Sequence, residues 1–145
     1  MQRRDLELFA DYYQFYIQDE PVSGDLSDAW TDKAVERLLA LAPGTVGIGT
    51  ASNGHVPVTV EVLGDAPAEP LDPYDQVNEC SLEIAQGPLV VAGCTDYFPE
   101  AVRIPVAPDV YRVRVSYCLS AEERYLVQLW PAPRIEPLVV KARAA

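Results

Sequence analysis

Residues 110–118 read VYRVRVSYC. Tyr111, Val113, Val115 and Tyr117 alternate with Arg112, Arg114 and Ser116, and a period of two belongs to a strand with one buried face. Working outward, the same pattern recurs. Pro108-Asp109 turns the chain in from residues 102–107 (VRIPVA), and Ala121-Glu122-Glu123 turns it out into residues 124–130 (RYLVQLW), where Tyr125, Val127 and Leu129 share one side. Trp130 has the opposite sense and is expected on the surface. Residues 137–141 (PLVVK) are a candidate edge strand.

Upstream lie residues 89–94 (LVVAGC), reached through Gln86-Gly87-Pro88, and residues 77–84 (VNECSLEI), with Cys80, Leu82 and Ile84 on one side and Glu79, Ser81 and Glu83 on the other. A polar loop with Pro67, Pro70 and Pro73 precedes them. His55 to Leu63 puts Val58, Val60 and Val62 inward and Thr59 and Glu61 outward. Asn53-Gly54 between that stretch and residues 45–51 (TVGIGTA) predicts a hairpin. At the start, residues 6–18 (LELFADYYQFYIQ) predict one long strand, with Phe9, Tyr13, Phe15 and Ile17 on one face and Tyr12, Gln14, Tyr16 and Gln18 on the other. Residues 32–41 (DKAVERLLAL) predict the one helix, with Thr31 as N-cap, an apolar stripe of Val35, Leu38 and Leu39, and Pro43-Gly44 as the stop. Eight or nine short strands at hairpin spacing, with one accessory helix, predict an all-β fold: a two-sheet antiparallel β-sandwich forming one domain over residues 1–145.

The charge is lopsided. Residues 1–76 hold 14 Asp and Glu against 4 Lys and Arg, whereas residues 77–145 hold 8 against 7, so nearly all of the net −11 sits on the first half. Such a field repels nucleic acid and anionic membrane and steers basic macromolecules inward. No stretch approaches the roughly 18 apolar residues of a membrane span. Acids interrupt the chain directly after Arg3-Arg4, which argues against a secretory signal. Three cysteines without C-x-x-C spacing read as thiols of a cytoplasmic protein, although Cys80 and Cys94 are symmetric about Gly87 and could face one another.

Catalytic constellations are missing. His55 is the single histidine and sits at a predicted turn end; no nucleophile elbow, zinc ligand set, calcium loop or phosphate loop accompanies it. Asp25, Asp28 and Asp32 lack EF-hand spacing. Gly47 and Gly49 read as sites of close packing, and Arg112 and Arg114 as ion-pair partners of strand acids such as Glu79 and Glu83. No cofactor is expected. What remains is aromatic area next to acid: Tyr12, Tyr16, Asp19, Glu20, Asp25, Asp28 and Trp30 are the candidate partner-binding residues.

From Trp30 onward the order of features resembles the competence protein J (ComJ) family, small bacterial inhibitors of a DNA-entry nuclease. The likeness is carried by Trp30-Thr31-Asp32 at a short helix, the Pro-Gly turn into a strand at 43–50 (PGTVGIGT), the strand at 56–62 (VPVTVEV) and the strand at 108–115 (PDVYRVRV). The likeness does not extend to the Tyr-rich residues 9–16 or to LWPAP at 129–133, and it supplies no contact residues to carry over. It implies a small all-β protein that binds and neutralises a nuclease. The charge argument points the same way: a cytoplasmic, non-catalytic immunity or antidote protein with a basic protein partner. The alternative is a ligand-binding or enzymatic sandwich whose pocket is lined by Tyr13, Tyr97, Phe98 and Trp130.

Overall fold

The computed structural model describes residues 1–68, 71–120 and 122–144. Pro70 of the predicted proline loop and Ala121 of the predicted turn lie outside the described residues. In chain order the elements are β1 (Gln2–Phe9), β2 (Gln14–Asp19), α1 (Asp32–Arg37), β3 (Leu39–Ala42), β4 (Thr45–Gly49), β5 (His55–Val62), β6 (Gln76–Ile84), β7 (Leu89–Gly93), β8 (Val102–Ile104), β9 (Asp109–Cys118), β10 (Arg124–Pro131) and β11 (Leu138–Lys141). They form a six-stranded sheet, β1-β5-β10-β9-β6-β11, and a five-stranded sheet, β3-β4-β2-β7-β8. This is the all-β, two-sheet sandwich class with one short α-helix that the alternation predicts.

Two compact units result. The first comprises Met1–Glu7, Val56–Ser81 and the chain from Val110 on; the second comprises Leu8–His55 and Leu82–Asp109. In the first, β9 pairs antiparallel with β10, so that Val113, Val115 and Tyr117 stand beside Leu129, Val127 and Tyr125, all buried. The rings of Tyr117 and Tyr125 meet edge to face at 5.9 Å. The alternate positions carry polar groups: Glu79 takes Arg114 at 2.9 Å and Arg112 at 3.6 Å, as the outward parity of both arginines predicts. Trp130 is not on the surface. It is only 4% exposed, covered in part by the Arg114 guanidinium 5.5 Å above its ring. One described pair departs from the antiparallel expectation: β10 runs parallel to β5. Parallel pairing needs a long connection, which the excursion between the two strands provides.

In the second unit, Phe15 and Ile17 of β2 are fully buried beside Ile48 and Val46 of β4 and Gly93 and Val91 of β7. Helix α1 covers Asp32–Arg37 rather than residues 32–41. Thr31 caps it as predicted, its hydroxyl accepting the Ala34 N–H at 3.2 Å. Leu38 ends it in the left-handed region, at φ 60°. Leu39–Ala42 then alternates as well as it repeats at helical spacing, and pairing with β4 decides in favour of strand. Val35, placed in the apolar stripe, is 56% exposed; Ala34 is the residue the helix buries. Pro43-Gly44 closes a two-residue β3–β4 hairpin, with Gly44 supplying the positive φ of 65° that the turn requires.

Two predicted continuities break. Residues 6–18 are two strands in different sheets, and Asn53-Gly54 is no hairpin, because β4 and β5 lie in different sheets. These breaks form one corner. The Asn53 side-chain oxygen accepts the Tyr12 N–H at 2.8 Å, and the Gly54 carbonyl accepts the Ala10 N–H at 2.7 Å. Tyr12 and Tyr13 both adopt left-handed backbone there, at φ 58° and 60°. Nothing in a Tyr-Tyr pair announces such a bend, since side chains with a Cβ disfavour it by about 1–2 kcal/mol each.

Candidate protein-binding face

The face of β2 that carries Gln14, Tyr16 and Gln18 is the floor of a groove of about 510 Å³. The predicted parity of these three residues is correct; Tyr12 is lost from the row by the corner. One wall is the loop leading to α1, with Leu26, Ser27 and Trp30, and the other is formed by Cys94, Asp96 and Phe98. The residues across the strands from Tyr16 are small: Ala40, Gly47 and Ala92 lie in register with it. A Cβ on Gly47 would come within 2.8 Å of Leu26 and 3.0 Å of Trp30, so glycine is what lets the loop rest on the sheet. The Trp30 indole N–H donates to the Gln14 side-chain oxygen at 3.0 Å, and the Gln18 amide donates to the Val22 carbonyl at 2.9 Å. Asp25 accepts the Ser27 N–H at 2.9 Å, a bond that lowers its carboxyl pKa. These contacts pin the loop at both ends and in its middle.

The second wall is held by Arg103. Its guanidinium lies 5.0 Å over the Phe98 ring, donates to the Phe98 and Ala101 carbonyls and pairs with Glu20 at 2.7 Å. Asp96 accepts the Gly93 N–H at 2.8 Å. Burial, followed by the Asp96 charge, raises the Tyr16 phenol above its ordinary range. Burial and then Asp11 likewise raise the Cys94 thiol above its ordinary range. No disulfide joins Cys80 to Cys94; the latter is exposed, with its thiol against the Asp11 carbonyl at 3.3 Å.

The seven sequence candidates separate. Tyr16 and Trp30 line the groove. Asp25 and Asp28 are exposed beside it. Tyr12 is 70% exposed at the corner with Tyr13, which is 57% exposed rather than inward. Phe9, also expected inward, is exposed and meets the His55 ring at 5.1 Å. Asp19 corrects the expectation of a surface acid: it is 1% exposed, and its carboxylate accepts the N–H groups of Ala85, Gln86 and Gly87 at 2.8, 3.3 and 2.7 Å. Its sequence parity, shared with Phe15 and Ile17, was the available signal. Glu20 is committed to Arg103. Cys94, Asp96 and Phe98 join the face from a segment remote in sequence, and Asp11, next to Tyr12, borders it through its carbonyl contact with Cys94. Of Tyr13, Tyr97, Phe98 and Trp130, the aromatic pocket considered as an alternative, only Phe98 lines the groove.

The charge of this unit is large. Its sequence holds eleven Asp and Glu against three Lys and Arg, a net of −8. Among the described residues none of Asp11, Asp25, Asp28 and Asp96 is in an ion pair. No group of three or more His, Cys, Asp and Glu side chains that could hold a metal occurs among those residues.

Fold and face define a class: a small all-β chain with an aromatic-lined groove on one sheet, bordered by exposed acids. Among solved structures the fold is shared with ComJ from Bacillus subtilis, an inhibitor of the DNA-degrading activity of NucA, with a TM-score of 0.75 and 15% identity over 89% of this chain and 96% of that one. It is also shared with the crocagin biosynthetic gene J protein, with a TM-score of 0.68 and 21% identity over 92% of this chain and 100% of that one. At these identities the likeness is one of fold. No family model matches the chain, and no curated protein matches it in sequence.

Proposed function

We propose that this chain is a non-catalytic, cytoplasmic inhibitor or immunity protein. It neutralises a nuclease, or a toxin with a similarly basic site, by protein–protein binding. The observation that carries the reading is a set of unpaired acids on an aromatic face, in a fold shared with an inhibitor of a DNA-degrading protein. Nuclease sites are basic because they bind phosphate, and an acidic face can occupy them with an association rate raised by steering. The test is affinity capture from the producing organism, followed by a DNA-degradation assay of the captured protein. Near-stoichiometric inhibition that weakens with salt is expected. A captured partner that degrades DNA unhindered in excess chain would overturn the reading.

One observation favours a second reading, that of a small-ligand carrier. The groove volume lies within the range of small-molecule sites, and the same fold serves the crocagin biosynthetic gene J protein. Fold does not choose between functions. Native mass spectrometry of the purified chain discriminates: a retained small molecule supports the carrier, and a protein-only complex supports the inhibitor.

A further inference from the structure

The groove on β2 has a specific chemistry. Three rings border it, Tyr16 from the floor and Trp30 and Phe98 from the walls. Asp96 uses one carboxylate oxygen on the Gly93 N–H, which leaves the other to a ligand. Arg103, whose charge reaches Tyr16, is committed to Glu20 and to carbonyls. An anion is disfavoured here by the net charge of the unit and by Asp96. A purely apolar occupant is disfavoured too, because it would strip water from Asp96 and the Ser27 hydroxyl and return no hydrogen bond. A planar cation satisfies both parts of the lining, since a guanidinium stacks on aromatic faces and donates to a carboxylate. The acids do not stop at the groove. Asp25, Asp28 and Asp11 continue the negative field along the surface, and Tyr12 and Tyr13 add exposed ring area, a footprint suited to a macromolecule rather than to a free amino acid.

We infer that the groove receives an arginine side chain from a loop of the protein partner, its guanidinium against Asp96 and the Tyr16 hydroxyl and its stem beside Trp30 and Leu26. This rests on the proposed protein-binding role and names the chemistry it selects for. Arg103 over Phe98, held by Glu20, already shows within the chain how these walls treat a guanidinium.

The test is an NMR titration of the full chain with blocked Gly-Arg-Gly, Gly-Lys-Gly and Gly-Glu-Gly peptides, with the Trp30 indole N–H as reporter. Asp96→Asn removes the charge and keeps an acceptor for the Gly93 N–H, so the wall stays in place. The arginine peptide is expected to shift the Trp30 signal, and Asp96→Asn to weaken it by about 5-fold or more. The glutamate peptide is expected to leave the signal unmoved. No shift with the arginine peptide, an equal shift with the glutamate peptide, or an affinity unchanged by Asp96→Asn would overturn the inference. Lysine binding as tightly as arginine would overturn the assignment to arginine. The two proposals fail separately. A captured nuclease inhibited equally by wild type and Asp96→Asn removes the groove and leaves the inhibitor, whereas arginine binding without inhibition of any captured nuclease removes the inhibitor and leaves the groove.

Discussion

The two units place several of their carboxylates in contrasting surroundings. In the six-stranded unit several acids face cations: Glu79 sits between Arg112 and Arg114, Glu61 meets Arg3 at 3.5 Å and the Gln128 amide at 2.9 Å, and Lys141 meets Asp72 at 3.0 Å. Its cavity of about 480 Å³ is correspondingly mixed, with Arg3 and Arg124 beside Glu61, Glu122 and Glu123. In the five-stranded unit Asp11, Asp25, Asp28 and Asp96 are in no ion pair among the described residues, and Arg103 beside the groove is taken by Glu20. Paired charges on a strand tie a sheet together, while unpaired ones project a field. The difference therefore teaches where to look for a partner: net charge is a weak guide until one knows which acids are already neutralised.

The sharpest way to break this contrast is Asp19→Ala. Asp19 is an acid of the acidic unit that does structural work, and its loss leaves three backbone N–H groups without their acceptor. We expect about 3–5 kcal/mol of lost stability in urea unfolding; a loss below about 1 kcal/mol would mean that Asp19 does not organise the chain at 85–87.

Next is Glu79→Gln, the counterpart in the other unit. Two mostly buried guanidinium groups would lose their carboxylate, at an expected cost of about 2–3 kcal/mol, with partner binding unchanged. Weakened binding at unchanged stability would reverse the roles assigned to the two units.

Tyr12→Asn and Tyr13→Asn sharpen the assignment of the corner. Asparagine tolerates left-handed backbone, so stability should hold while ring area is lost. Faster dissociation by about 1–2 kcal/mol is expected if these rings anchor the partner. Dissociation rates like those of wild type would leave them as bystanders.

Changing Asp25 and Asp28 together to Lys should alter stability by no more than about 0.5 kcal/mol and slow association roughly 10-fold at low salt, with a shallower salt dependence. Stopped-flow association at two salt concentrations reads this directly. Unchanged rates would reduce the charge to a solubility device.

The smallest effect is one of pH. Tyr16 has its native phenol pKa above the ordinary tyrosine value of about 10, because burial favours the neutral form. The native state then holds that proton more tightly than the unfolded chain. Its contribution is intact below about pH 10, and stability falls as the pH rises from there through the raised native value. Urea unfolding from pH 8 upward should show a shallower alkaline decline for Tyr16→Phe. A decline identical to wild type would place the phenol in an ordinary environment.

Much of the molecule follows from period alone. Alternation in residues 110–118 and 124–130 determined two neighbouring central strands, their buried faces and the polar side on which Arg112 and Arg114 lie. Thr31 as N-cap, Gly47 as a point of close approach and the even-numbered face of β2 were legible too. Such features depend on a residue and its near neighbours, or on which side of one strand a side chain occupies. Only the tertiary structure decided the rest. It assigned β4 and β5 to different sheets, bent the chain at Tyr12-Tyr13 with hydrogen bonds from Asn53 and Gly54, buried Asp19 and Trp130, and brought Asp96 and Phe98 opposite Trp30. The physical reason is common to all of these. A period fixes the side of a strand on which a residue lies. The strand that comes to lie next to it, and the charge or ring that meets it there, depend on contacts between segments far apart in the chain, which carry no local pattern.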